Sequence, residues 1–146
     1  MVTIVDVAKY ILARRGEMST MKLQKLCYYS QAWHLVWRDK PLFREDFQAW
    51  ANGPVCRELF DIHHGLFSVD ASTPGIVSGN VKAIKPEQKS VIDQVLRFYG
   101  GKNGQYLSRL THLEKPWIQA RGGLPDGENC ENVITKESMS MYYGAL

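Results

Sequence analysis

Apolar positions recur at helical spacing from the start of the chain. Ile4, Val7, Ala8, Ile11 and Leu12 share one face of a helix over residues 3–15, with Asp6, Lys9 and Arg14 opposite. Thr3 and Asp6 have the spacing of a capping box, with Asp in place of the usual Glu. Arg14 and Arg15 suit the negative end of the helix dipole, and Gly16 provides a stop. Ser19 or Thr20 then caps a longer helix over about residues 21–38. Its stripe of Leu23, Leu26, Cys27, Ser30, Trp33, His34 and Trp37 is widened by Tyr29 and Val36. Only Gln24, Lys25, Gln31 and Arg38 give a polar arc, so this helix is expected at the centre of the fold with Leu23, Leu26, Trp33 and Trp37 buried.

The pattern shortens after Asp39-Lys40-Pro41, which ends that helix. Phe47–Trp50 fits a brief strand. Asn52-Gly53-Pro54 reads as a turn with Pro at a helix start, followed by Val55, Leu59 and Ile62 on one face. Residues 65–85 contain Gly65, Pro74, Gly75 and Gly79, and read as a loop suited to a mobile insertion. Pro86 opens a helix carrying Val91, Ile92, Val95, Leu96 and Tyr99, stopped at Gly100-Gly101. Short helices follow over Asn103–Leu110 and from Lys115 to before Gly122. After a polar loop over Leu124–Asn132, Thr135 caps a last helix ending near Tyr143. The fold class predicted is mainly α. One helical domain over residues 1–146 surrounds the 21–38 helix, with at most a small β element near 47–50 or 76–84.

Length and charge narrow the classes of function. The 146 residues carry 18 Lys and Arg against 15 Asp and Glu, a net charge of +3. Residues 1–73 hold nine basic and eight acidic groups, and residues 74–146 hold nine and seven. This even spread argues against a nucleic-acid module, which shows a clustered positive stripe. The longest uncharged apolar stretch, Leu26–Trp37, is too short to span a bilayer. Met1–Asp6 lacks the basic start of a signal peptide. Three cysteines without a CxxC fit reduced, cytoplasmic thiols.

Each candidate for chemistry meets a plainer reading. His63 and His64 are neighbours on a helix and point about 100° apart, a poor pair for one metal ion. Cys27 and His34 lie about 10 Å apart along one stripe, beyond hydrogen-bond reach, so each reads as a core residue. Ser108, His112 and Glu114 offer a serine, an imidazole and a carboxylate, but local crowding is weak evidence for a triad. The plainer reading is that Thr111 and Glu114 form a capping box, Trp117 packs inward and Arg121 bonds a carboxylate or backbone carbonyls. Trp37, Trp50 and Trp117 suit either interface anchors or core packing. Gly100–Gly104 matches no phosphate-binding loop, and no metal or cofactor is expected.

Two blocks, in order, resemble a known family. The first is Met21-Lys22-Leu23-Gln24-Lys25-Leu26-Cys27-Tyr28-Tyr29-Ser30-Gln31-Ala32-Trp33-His34-Leu35, continued by Pro41-Leu42-Phe43 and by Phe47–Val55 with Trp50, Gly53, Pro54 and Val55. The second runs from Leu107 to Arg121, with Ser108, Thr111, His112, Pro116 and Trp117. Together they look like the Panacea domain of SocA-like antitoxins, which includes phage-associated GepA-type proteins, with a resemblance extending over about residues 3–143. Cys27 departs from the aliphatic residue common there.

That resemblance implies an antitoxin of a bacterial or prophage toxin–antitoxin pair. The implied partner is a cognate toxin protein, bound directly, with delivery to a cytoplasmic protease as a further mode. Neither mode needs catalysis. An enzyme using the His112 region and a nucleic-acid-binding regulator are the alternatives. The sequence assigns neither the toxin-contacting residues nor an oligomeric state.

Overall fold

Helix α2, Thr20–Arg38, is the element on which the others pack. The computed structural model describes all of residues 1–146. Ser19 Oγ accepts the Lys22 N–H at 3.1 Å to cap α2, and Asp39 ends it in the left-handed region at φ 58°. Leu23, Leu26, Cys27, Tyr28, Tyr29 and Ala32 are all buried. Gln24, Lys25 and Gln31, expected on a polar arc, are buried as well, because α2 is covered on that side too. The far end differs from expectation. Trp37 is 44% exposed and Trp33 only half-buried, at a rim shared with Gln94, Val95, Phe98 and Tyr99. Their rings lie 5.1 Å apart, and Trp33 Nε1 donates to the Tyr99 hydroxyl at 3.0 Å.

The first helix, α1 (Ile4–Arg15), has the expected capping box. Thr3 Oγ1 accepts the Asp6 N–H at 3.3 Å, and Asp6 Oδ2 accepts the Thr3 N–H at 2.9 Å. Asp6 is not on an exposed face, however. It is buried, and its second oxygen accepts the Asn80 N–H at 2.7 Å. The cap therefore also holds a remote segment.

Five short strands form two sheets. Strands β1 (Met18–Ser19) and β4 (Ser68–Val69) pair antiparallel, Met18 opposite Val69. Strand β2 (Phe47–Trp50) lies between β3 (Gly53–Val55) and β5 (Val133–Ile134), both antiparallel to it. Trp50 faces Gly53 across a tight hairpin, and Ala49 faces Pro54. Pro54 thus lies in an edge strand rather than at a helix start. A proline's fixed φ and missing donor suit a sheet edge equally well. The helix that follows, α3, begins only at Arg57 and ends at His63.

The 65–85 region is less loop-like than its composition suggests. Val69, Ile76 and Ile84 are buried. Of the two places offered for a small β element, 47–50 holds a strand, and 76–84 instead has a 3₁₀ turn over Val81–Ala83. Lys9 Nζ donates to the Val77 and Gly79 carbonyls at 2.8 and 3.1 Å. A β-carbon at Gly79 would lie 2.8 Å from the Val5 carbonyl oxygen, so the segment sits directly on α1.

Helix α4 (Pro86–Tyr99) buries Val91, Ile92, Val95 and Leu96 as its spacing predicts. Helices α5 (Gly104–His112), α6 (Lys115–Arg121) and α7 (Lys136–Gly144) complete the chain. Asn103 and Thr135 cap α5 and α7. The capping box expected at Thr111 and Glu114 does not form. Thr111 lies inside α5 and donates to the Ser108 carbonyl at 2.6 Å, while Glu114 turns into the core. No helix is long and apolar enough to cross a membrane.

Candidate functional site

Buried polar side chains on a central helix need partners, and Gln24, Gln31 and His34 of α2 find them in non-helical backbone. Gln24 Oε1 accepts the Cys56 N–H at 2.9 Å, and its Nε2 donates to the Cys56 carbonyl at 3.2 Å. Gln31 treats the 42–43 segment the same way, accepting the Leu42 N–H and donating to the Phe43 carbonyl, both at 2.7 Å. His34 Nδ1 donates to the Lys40 carbonyl at 2.6 Å, which fixes its proton there, and burial lowers its pKa. Its Nε2 is buried without a partner. Lys22 Nζ donates to the Gly100 carbonyl at 2.7 Å.

The second block grips the β2–β3 hairpin from the other side. Ser108 Oγ donates to the Asn52 carbonyl. Trp117 Nε1 donates to the Trp50 carbonyl at 2.8 Å. Arg121 Nη1 donates to the Ala49 carbonyl at 2.8 Å, and its Nη2 reaches the Pro125 and Glu128 carbonyls at 2.7 and 2.6 Å. The His112 ring lies against Trp117, with centroids 4.1 Å apart and planes tilted by 34°. Leu107, Pro116 and Trp117 are buried beneath these contacts. The expected inward Trp117 and carbonyl-bonded Arg121 are thus both present. Helix α2 and the second block, remote in sequence, converge on residues 49–56.

The triad-like residues do not form a relay. Ser108 is held by Asn52. Glu114 Oε1 accepts from the Tyr29 and Tyr143 hydroxyls, each at 2.7 Å. His112 Nε2 is buried without a partner, and burial lowers the pKa of its ring. The Cys27 and Cys56 thiols are equally unready as nucleophiles: burial raises Cys27 well above its usual pKa and pushes Cys56 up to about 12.

Beside the hairpin lies a cleft of about 280 Å³, lined by Gln24, Lys25, Trp50, Asn52, Phe60 and His63 among others. The Trp50 and Phe60 rings meet edge to face at 4.9 Å and form an apolar wall. Lys25 is 1% exposed, and burial lowers its pKa to about 7. Its stem passes the hairpin where residue 53 has no side chain: a β-carbon there would lie 2.7 Å from Lys25 Cε and 2.9 Å from Thr111 Oγ1. Gly53 also has φ +112°. Val55 lines the same cleft, with Pro54 buried behind it.

His63 completes the polar floor. The Cys56 N–H fixes the Gln24 amide, so Gln24 Nε2 donates to His63 Nε2 at 3.0 Å. His63 Nε2 is therefore an acceptor and the ring is neutral, in keeping with the lowering of its pKa by burial. Sequence reading placed Lys25 on a solvent arc and His63 at a helix end. One signal for Lys25 was available: Met21, Tyr28 and Tyr29 flank it at helical neighbour positions.

A family model described as antitoxin SocA-like, Panacea domain, matches residues 23–118. No curated protein and no solved structure matches the chain.

Proposed function

The chain belongs to the SocA-like antitoxin family defined by the Panacea domain, and on that premise we propose that it neutralises a cognate toxin by binding it directly. The observation that carries this reading is the convergence of α2 and the 107–121 block on one hairpin. Gln24, Gln31, Ser108, Trp117 and Arg121 are committed to holding backbone, and a firmly held surface results. Such an arrangement supports recognition rather than turnover.

The family match ends before α7 and begins after α1, yet both helices pack on α2. We therefore take residues 1–146 as one binding module, acting in the cytoplasm. The contact surface we assign includes the cleft and its rim. Leu66 and Phe67 stand 47% and 85% exposed there, and the Phe67 carbonyl accepts the N–H of Thr20, a cleft residue. A standard interface takes about 800 Å² from each partner, roughly a tenth of this molecule's 7585 Å² surface.

Titration in cells tests the proposal, with the toxin encoded beside this chain as partner. Rescue is expected to saturate at a fixed subunit ratio, with a complex that survives gel filtration. Rescue by trace amounts without a stable complex overturns direct neutralisation. Rescue that disappears in a strain lacking the protease assigns the adaptor mode instead.

A further inference from the structure

An amine at the buried end of a cleft needs a partner for its charged form, and Lys25, 1% exposed and lining the cleft, has no hydrogen-bond partner within the protein. Burial alone accounts for the change in its acidity, with no hydrogen bond and no carboxylate contributing. The groups facing it are bases. His63 from α3 and His112 from α5 both feel its charge, and both are held below the ordinary histidine range mainly by their own burial. None of the cleft-lining residues is acidic.

We propose that this cleft is a binding site for a carboxylate, which enters between Trp50, Phe60 and Asn52 and pairs with the Lys25 ammonium. Three features on different elements support it. The cleft's volume of about 280 Å³ admits a whole acidic side chain or a small organic acid. The aromatic wall of Trp50 and Phe60 covers the apolar part of such a ligand. Asn52 and Asn129 also line the cleft and bring amide groups that can donate to the second carboxylate oxygen. Gly53 is what allows the lysine stem to lie against the hairpin, since any side chain there meets Lys25 Cε. An ion pair formed in this enclosed place is stronger than one on the surface. The site goes beyond the antitoxin reading and does not depend on it. Its carboxylate can come from an acidic side chain or chain terminus of a bound protein, or from a free acid.

The test uses the full chain labelled with 13C-lysine and follows the lysine signal that titrates near pH 7. Phenylacetate is the probe, and phenylacetamide is its uncharged counterpart. Phenylacetate is expected to raise the midpoint saturably, by about one pH unit or more, and phenylacetamide to leave it in place. Lys25→Met is expected to remove both the signal and phenylacetate binding. The wild-type titration decides the matter even if that variant fails to fold. No shift with phenylacetate, or an equal shift with phenylacetamide or with chloride at matched ionic strength, overturns the proposal. Adding phenylacetate to the toxin complex then separates the sources. Displacement of the toxin assigns the carboxylate to the partner protein, and an undisturbed complex that still binds phenylacetate assigns it to a free acid. Loss of the site with toxin rescue intact leaves the antitoxin reading standing.

Discussion

Tyr29 gives its hydroxyl proton to Glu114 Oε1 at 2.7 Å, joining the middle of α2 to the turn before α6. Tyr143 gives its own proton to the same oxygen at 2.7 Å, so Tyr28, 3.1 Å from the Tyr143 hydroxyl, donates to Tyr143. Burial raises the Glu114 pKa despite these two donors. Glu114→Gln keeps an acceptor and removes the desolvated charge, so its stability at pH 7 is expected to equal or exceed wild type. Glu114→Ala strands buried phenols and is expected to cost about 2–4 kcal/mol. Because the folded carboxyl is the weaker acid, wild type gains on Glu114→Gln as pH falls through the folded pKa towards 4.5. Urea melts across that range check both statements.

Lys25 supplies a second pH signature, with the same cause and the opposite sign. Its folded pKa of about 7 lies below the ordinary 10.5, so the unfolded chain binds the extra proton between those values. Stability is expected to rise as pH climbs from about 7 towards 10. Above that, Tyr28, Tyr29 and Tyr143, held neutral by burial, begin to favour the unfolded state. Lys25→Met is expected to flatten the rise and to stabilise the protein at pH 7, by on the order of 4 kcal/mol at most. Thermal melts at pH 7 and pH 9.5 measure the difference.

Arg121 holds the 125–128 loop and β2 together through carbonyls alone. Lysine cannot span those acceptors with one ammonium. Arg121→Lys is expected to lose roughly 2–4 kcal/mol and to speed hydrogen exchange in the 124–132 loop. Exchange unchanged from wild type contradicts this account.

Gly53→Ala combines a disfavoured φ of +112° with a contact of 2.7 Å to Lys25 Cε. The expected result is a loss of about 2 kcal/mol or more, with changed amide shifts at Ala51 and Asn52. Preserved shifts would sink the idea that the hairpin rests on the lysine stem.

Leu26 and Trp37 separate depth from size. Leu26 is fully buried, so Leu26→Ala is expected to cost about 2–5 kcal/mol. Trp37 is larger but 44% exposed, and Trp37→Ala should cost less. Paired denaturation curves decide the order.

Helical periodicity made α1, α2 and α4 legible, because each has an apolar face long enough to show a period, and the Thr135 cap marked the start of α7. The two-residue strands Met18–Ser19, Ser68–Val69 and Val133–Ile134 have no room for alternation. Pro54 suited a helix start and an edge strand equally, and long-range pairing with Ala49 decided between them. At the cleft, spacing gave Gln24, Lys25 and Gln31 a polar face. It carried no information about the hairpin and the 42–43 segment that cover that face. Trp117 and Arg121 were readable, since a buried indole and a guanidinium both demand acceptors.

Helix α7 bears on the order in which the molecule is made. A ribosome releases α2 long before residues 136–144 exist, and only Tyr143 completes the hydroxyl network around Glu114. Through most of translation, Tyr28 and Tyr29 lack that cover, and the nascent chain carries an open aromatic face. The core around Tyr28 and Tyr29 therefore closes only after residues 136–144 have been made, so its final packing trails the synthesis of α2 by about a hundred residues.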